Sequence, residues 1–311
     1  MKKIILLFTL VTLSFAQTVK VESVKQIQTG DKRYYFAKFN PNGKSIIFSK
    51  DGYKGLYSYD LSEKSITELN DHSGAGYEPT FSNDGKTIYF RSDNFVNGKR
   101  FSSLISQDVE TKSEKVILKD QRNLLPPKLN KNGNISFILN NEANVIQQNS
   151  LKKSSNQIIT QVSNELTVHI DNTKISLSQN GTTKILDPIG NGNYIWPSIS
   201  PNGEKLLFTD VRSGTYISDL DGNILVKLGY ANAPKWSPDG NWICYMVDKD
   251  DGHRFTGSEI FVISSDGENR FKLTNTNDQI EMYPSWSPDS KKLVYHSNSG
   301  NIFLINLKIN K

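Results

Sequence analysis

The side chains of this sequence that could carry out chemistry are a few carboxylates and histidines. Glu78 and Glu281 each lie shortly upstream of a proline, while His72 and His253 lie in polar segments. Carboxylate and imidazole groups are the ligands with which a metal-assisted lyase or hydrolase would act on a polysaccharide. Capping hydrogen bonds to neighbouring backbone are an equal alternative for the two glutamates.

The polar run at residues 248–254 gathers Asp248, Asp250 and Asp251. Hard cations such as Ca²⁺ take several oxygen ligands at set positions, and this run does not follow the full EF-hand pattern. The run is therefore interpreted as a solvated loop. No cofactor is expected, and a divalent cation in the fold's channel stays open as an alternative.

The remaining reactive side chains have structural interpretations. His169 and His296 lie in strand-like patterns, and Cys244 lies in an apolar run with no histidine beside it in sequence. The sequence contains no Gly-x-Ser-x-Gly, phosphate-loop or His-Glu-x-x-His motif. An enzyme is therefore less favoured than a binding protein, with the metal-assisted enzyme kept as the alternative.

The first sixteen residues predict export from the cytoplasm. Lys2 and Lys3 precede an apolar stretch at 4–15, and residues 14–16 form a small-x-small cleavage site ending at Ala16. A Sec-type signal peptide at 1–16 and a single mature domain at 17–311 follow, located in the periplasm or secreted. The apolar stretch is too short to span a bilayer, and no transmembrane segment is predicted in the mature chain.

The charged residues exclude some classes of partner. The sequence has 37 Lys and Arg against 32 Asp and Glu, a formal net charge of +5. The lysines are scattered rather than gathered in a run, so they are interpreted as solvating charges on strand faces. A nucleic-acid partner is not expected, and the chain is expected to be monomeric.

A repeated turn motif, Pro-x-aromatic-Ser-Pro-Asp-Gly, organises the chain. Ser-Pro-Asp-Gly suits a type I turn, because Pro presets φ at the second position and Gly takes the last. Period-2 apolar strands follow each turn, and no long helical period occurs. Good copies stand at 284–290, 234–240, 197–203 and 79–85, and looser copies at 127–133 and 37–43.

The spacing of these turns predicts an all-β fold, a β-propeller of about seven four-stranded blades. The interval between Gly133 and Gly203 is too long for one unit, and residues 167–177 have the alternation of a degenerate copy within it. The mean spacing then becomes about 41 residues, the length of a propeller blade. A six-bladed ring, with 124–196 folded into one irregular blade, is the alternative.

The two ends of the chain predict how the ring closes. The last unit stops after its third strand, 301–307, and the segment 24–30 resembles a missing fourth strand. The N-terminal strand is therefore expected to pair with the last blade, which hides edges that would otherwise invite pairing with other chains.

These repeats resemble those of the TolB-like β-propeller family, over about residues 24 to 311. The resemblance implies an exported scaffold that binds an envelope or secreted protein, here without the α/β domain that precedes the propeller in TolB itself. In a propeller, loops between blades and loops joining each blade's middle strands share one face. The candidate partner-binding residues on this face are His72, Tyr77, Glu78, Arg122, Tyr194, Trp196, Tyr230, His253, Arg254, Glu281 and Tyr283.

Overall fold

The computed structural model describes residues 17–146, 160–162, 165–276 and 279–310. Within these ranges the chain forms seven antiparallel sheets, each taken as one blade of a propeller. The predicted all-β propeller is confirmed, and the six-bladed alternative is wrong. The predicted signal peptide and its cleavage site at Ala16 lie outside the described residues.

Blades 1 and 2 each contain four strands joined in chain order. Blade 1 consists of β2 (Tyr35–Phe39), β3 (Ser45–Ser49), β4 (Leu56–Asp60) and β5 (Ile66–Asn70), with a 3-10 turn at Asp51–Tyr53. Blade 2 consists of β6 (Thr80–Phe81), β7 (Thr87–Val96), β8 (Lys99–Asp108) and β9 (Glu114–Gln121). The long β7–β8 hairpin is paired from Thr87 to Val96 and rises well above the ends of the neighbouring strands.

Blades 3 and 4 cover the weakest part of the repeat. Blade 3 consists of β10 (Lys128–Leu129), β11 (Ile135–Leu139), β12 (Glu142–Ile146) and β13 (Thr160–Val162). Blade 4 consists of β14 (Thr167–Asp171), β15 (Lys174–Gln179) and β16 (Thr182–Leu186). The degenerate copy predicted at 167–177 is therefore a separate blade, which has three strands in the part of the chain that the structure describes.

Blades 5 and 6 follow the motif closely. Blade 5 consists of β17 (Tyr194–Ile199), β18 (Lys205–Asp210), β19 (Gly214–Asp219) and β20 (Ile224–Gly229). Blade 6 consists of β21 (Asn232–Trp236), β22 (Trp242–Asp250), β23 (Phe255–Ser264) and β24 (Arg270–Lys272).

Blade 7 joins the two ends of the chain. It consists of β25 (Glu281–Trp286), β26 (Lys292–Ser297), β27 (Ile302–Asn310) and β1 (Thr18–Ile27), in the sheet order β1-β27-β26-β25. β1 pairs with β27 from Thr18↔Asn310 to Ile27↔Ile302. The predicted closure is confirmed, because a strand from the N-terminus covers the edge that β27 would otherwise expose.

The Ser-Pro-Asp-Gly turns form the corners between the first and second strands of the blades. In blade 6 the Gly240 N–H donates to the Ser237 carbonyl at 2.9 Å, and the Ser237 hydroxyl donates to Asp239 at 2.6 Å. The same hydroxyl accepts the Trp242 N–H at 2.9 Å. Gly240 has φ +73°, a left-handed conformation that glycine adopts without a steric penalty. The turn chemistry therefore agrees with its sequence pattern.

The hydrophobic core lies between the blades. One cluster joins Trp242 and Cys244 of blade 6 to Trp286 and Tyr295 of blade 7, and another joins Phe48 of blade 1 to blade 7. The aromatic residue of the turn motif therefore packs between neighbouring blades as predicted. Within the described ranges, no helix is long and apolar enough to cross a membrane.

Candidate functional site

The innermost strands share an unusual backbone feature where they begin. Five non-glycine residues there have φ between +48° and +57°, in the left-handed region. Four of the five directly precede the proline of the repeat, although a residue before proline ordinarily prefers extended backbone. The five residues are Phe36, Glu78, Trp196, Ala233 and Tyr283.

A bulge accompanies this backbone conformation. Pairing with the second strand shifts between Tyr35 and Lys38, and an equivalent shift occurs in blades 5, 6 and 7. Bulges turn side chains away from the regular ladder and are common beside functional sites. Strained non-glycine residues persist only where the surrounding structure holds them, and they too cluster at binding sites. Both features point to the mouth of the central channel.

Aromatic side chains from blades 1, 2 and 7 meet at this mouth. The Phe36 ring stacks on Tyr53, with centroids 4.3 Å apart, and lies 5.1 Å from the Tyr283 ring. Tyr53 contacts Tyr77 edge-on at 5.0 Å, and Tyr283 stacks on His296 at 5.5 Å. We call Phe36, Tyr53, Tyr77, Glu78, Tyr283 and His296 the channel-mouth cluster.

The electrostatics of this cluster keep its aromatic groups neutral. Burial, with smaller contributions from Tyr283, Tyr77 and Glu78, raises the pKa of Tyr53 to about 12. Burial also lowers the pKa of His296 to about 3, and its Nδ1 accepts the Phe36 N–H at 3.1 Å. The rings therefore offer apolar surface and phenolic hydroxyls, while Glu78 at their edge is exposed.

The structure brings several of the predicted partner-binding residues together. Tyr77, Glu78 and Tyr283 belong to the channel-mouth cluster, and Trp196 occupies the equivalent left-handed position in blade 5. Tyr230 lies beside the cluster, where its hydroxyl donates to Asp248 at 2.9 Å. The Asp248 charge in turn contributes to the raised pKa of Tyr283. Tyr230 remains 51% exposed and is accessible to a partner.

Four further predicted residues lie outside the cluster. The His72 ring contacts blade 2, with Nε2 3.0 Å from Glu114 and Nδ1 3.1 Å from Ser92. Arg122 covers the Phe101 ring at 5.3 Å, near the tip of the β7–β8 hairpin. His253 and Arg254 are exposed in the turn between β22 and β23.

The remaining two predicted residues are buried, which corrects their placement on the binding surface. Tyr194 is 1% exposed, and its hydroxyl donates to Asp187 at 2.7 Å. Glu281 is 0% exposed and accepts hydrogen bonds from Thr276 and Tyr295 at 3.3 and 3.4 Å. Both lie at the start of an inner strand, where the chain is enclosed by neighbouring blades.

The buried Glu281 carboxyl predicts a pH-dependent stability. Burial, with a contribution from the Glu259 charge, raises the pKa of Glu281 from 4.5 to about 7. The folded state therefore binds the proton more tightly than the unfolded state, so this carboxyl lowers stability as pH rises from 4.5 to about 7. We expect the free energy of unfolding of Glu281→Gln to equal that of the wild type at the acidic end of this range. Above neutral pH we expect it to exceed the wild-type value by up to roughly 3 kcal/mol.

Urea unfolding of both proteins across this pH range measures the difference. The exposed Glu268→Gln is the control and is expected to follow the wild type throughout. Parallel stability curves for the wild type and Glu281→Gln would contradict the prediction, because they would show that folding does not raise the pKa of the Glu281 carboxyl.

In the described ranges, no three His, Cys, Asp or Glu side chains are gathered closely enough to hold a metal ion. His296 Nδ1 is already an acceptor for Phe36, and Glu281 is enclosed. Burial raises the pKa of the Cys244 thiol to about 12, which keeps it protonated at neutral pH.

Known proteins with similar sequences match parts of this chain. No protein-family model matches the chain. The Tol-Pal system protein TolB of Francisella tularensis subsp. mediasiatica is 25% identical over 259 residues, which cover 79% of this chain and 52% of TolB. An uncharacterized protein of Agrobacterium fabrum is 26% identical over 116 residues, or 35% of this chain and 37% of that protein.

Structural similarity covers more of the chain. TolB from Acinetobacter baumannii superposes with a TM-score of 0.54 at 20% identity, over 86% of this chain and 60% of that one. The chain is a β-propeller that is similar to TolB. It spans about half the length of the curated TolB relatives that it matches, 52% of the first of them.

Other propellers share the architecture of this TolB-like chain. An oligogalacturonate lyase in complex with manganese has a TM-score of 0.53 at 13% identity, over 94% of this chain and 97% of that one. A chain of the mitotic checkpoint complex has a TM-score of 0.57 at 14% identity, with 98% and 99% covered. At such identities these two similarities concern the fold alone, because one propeller fold carries unrelated functions.

Proposed function

We propose that this TolB-like propeller is a non-catalytic scaffold, exported to the periplasm, that binds a protein of the cell envelope through its loop face. The channel-mouth cluster is the observation that carries this proposal. Tyrosine and other aromatic side chains are enriched at protein interfaces, where they supply most of the binding energy. The left-handed residues that present them are held at equivalent places in several blades, as a preformed binding surface requires.

The curated relatives add support for an envelope partner. They are named as proteins of the Tol-Pal system, and the match covers 79% of this chain. The predicted signal peptide at 1–16 supports export. The long β7–β8 and β22–β23 hairpins stand beside the channel mouth and would enlarge the surface that a partner meets.

Affinity capture with matched variants tests the proposal. The immobilised chain of residues 17–311 is expected to retain an envelope protein. The double variant Tyr53→Ala/Tyr77→Ala is expected to bind that protein at least tenfold more weakly, because each anchor contributes about 2 kcal/mol or more. The control Ile224→Ala/Leu225→Ala removes two exposed apolar side chains from β20 and is expected to bind normally. Equal capture by all three proteins, or turnover of an envelope polysaccharide by the purified chain, would contradict the proposal.

A further inference from the structure

One level of the central channel carries side chains that donate hydrogen bonds. In six blades the residue immediately after the repeat proline or its equivalent is a lysine or a hydroxyl residue. We call these six residues the channel ring. They are Lys38, Thr80, Lys128, Ser198, Lys235 and Ser285.

Strand register places the ring residues at one height. Lys38 pairs with Ile47, Lys235 with Cys244 and Ser285 with Val294, each one step from the last residue pair before the turn. Thr80, Lys128 and Ser198 pair with the second strands of their own blades in the same relation. The repeat itself therefore lines up three ammonium groups and three hydroxyl groups. None of the six ring residues carries a carboxylate.

The lysines of this ring extend between neighbouring blades at the channel. Lys38 Nζ donates to the Pro79 carbonyl of the next inner strand at 3.1 Å. Lys128 Nζ lies 3.5 Å from the Val168 carbonyl in blade 4. The ammonium groups of Lys38 and Lys128 thus each retain donors beyond this one carbonyl contact, since an ammonium carries three.

Two of these lysines, Lys38 and Lys235, are close enough for their charges to interact. Burial, together with the positive charge of Lys235, lowers the pKa of Lys38 to about 8, and only Glu78 at the mouth acts in the opposite direction. Lys235 also contributes to the lowered pKa of His296 in blade 7. Ser198 Oγ, in the same ring, is buried without a hydrogen-bond partner among the described residues. Positive charge and unused donors together are the chemistry of an anion site.

We propose that the channel ring binds carboxylate groups on an extended acidic segment of the protein partner. This rests on the proposed function and adds the chemistry of what enters the channel. A polypeptide is favoured over an acidic sugar because the mouth rings stack on one another, Phe36 on Tyr53 and Tyr283 on His296. Each of these rings covers a face of its neighbour. The rings therefore present edges and hydroxyls, which suit apolar side chains, rather than the open faces on which a sugar ring would stack.

Titration calorimetry with defined anions tests the ring. The probes are a hexaglutamate peptide and trigalacturonate, each titrated into the wild type, Lys38→Met, Lys235→Met and the control Lys20→Met. Lys20 lies on β1 and is exposed, so its substitution removes the same charge away from the channel. Hexaglutamate is expected to bind the wild type and Lys20→Met equally, and to bind each ring variant about tenfold more weakly, as loss of one charged hydrogen bond predicts.

Three outcomes would overturn the assignment. Hexaglutamate does not bind the wild type; Lys20→Met weakens binding as much as the ring variants; or trigalacturonate alone binds. Failure here is separable from failure of the proposed function, because the captured envelope protein would then bind the ring variants normally while still losing affinity for Tyr53→Ala/Tyr77→Ala.

Discussion

A chain that lacks residues 17–27 is expected to lose its cooperative unfolding transition and to aggregate. These residues form β1, whose nine residue pairs with β27 close the ring. Without β1 the long strand β27 becomes an open edge that can pair with other chains. The buried Val19 and Ile27 also leave the clusters on either side of blade 7.

Thermal unfolding and light scattering measure this loss. A peptide of residues 17–28 added in trans is expected to restore the transition in a concentration-dependent way, since it binds only the folded ring. The control Lys20→Ser/Lys25→Ser alters exposed side chains of β1 and is expected to fold normally. A truncated chain that still unfolds cooperatively as a monomer would show that blade 7 does not need β1.

Trp242→Ala is expected to destabilise the fold by about 3–5 kcal/mol. Trp242 is 1% exposed in β22 and belongs to the cluster that joins blade 6 to blade 7. Its ring lies 6.0 Å from that of Phe271. Removing the indole leaves a cavity between two blades that are each fixed by four strands and cannot collapse to fill it.

Denaturant unfolding of two tryptophan variants measures this effect. Trp236→Ala, at the partly exposed aromatic position of the turn motif in the same blade, is the matched control and is expected to cost less. Equal losses for the two variants would mean that the interface between blades 6 and 7 does not depend on the filled volume at Trp242.

The architecture was largely predictable because its determinants are local and repeated. The turn at residues 237–240 is formed largely by hydrogen bonds among its own residues and by a left-handed glycine, so the motif is readable in sequence. The pairing of β1 with β27 followed from an incomplete last unit, since an unpaired edge must be covered. Even the degenerate copy at β14 and β15 kept its period-2 alternation.

The backbone of the channel mouth was not predictable in the same way. A residue before proline is expected to be extended, yet Glu78, Trp196 and Tyr283 are left-handed. The general preference of a residue before proline therefore gives the wrong conformation at these positions. His296 is a buried, hydrogen-bonded residue of β26, as its strand-like pattern predicted, but the sequence did not show that its ring stacks on Tyr283 in the mouth.

Burial and charge at the channel also required the structure. Tyr194 and Glu281 were expected on the loop surface, but the inner strand carries both into the interior. The lysines were interpreted as solvating charges because they are scattered along the chain. Lys38 and Lys235 lie almost two hundred residues apart in sequence, and only closure of the ring brings their charges into interaction.

Photo-crosslinking in the intact cell envelope tests most directly whether the channel mouth binds a protein partner. A photoreactive phenylalanine analogue is placed at Tyr77, which is 38% exposed in the channel-mouth cluster, or at Lys291, exposed beside the turn at the opposite end of the inner strands. Position 77 is expected to give one discrete adduct with an envelope protein, and position 291 none. Adducts at position 291 alone, or at neither position, would contradict a protein-binding role for the channel mouth.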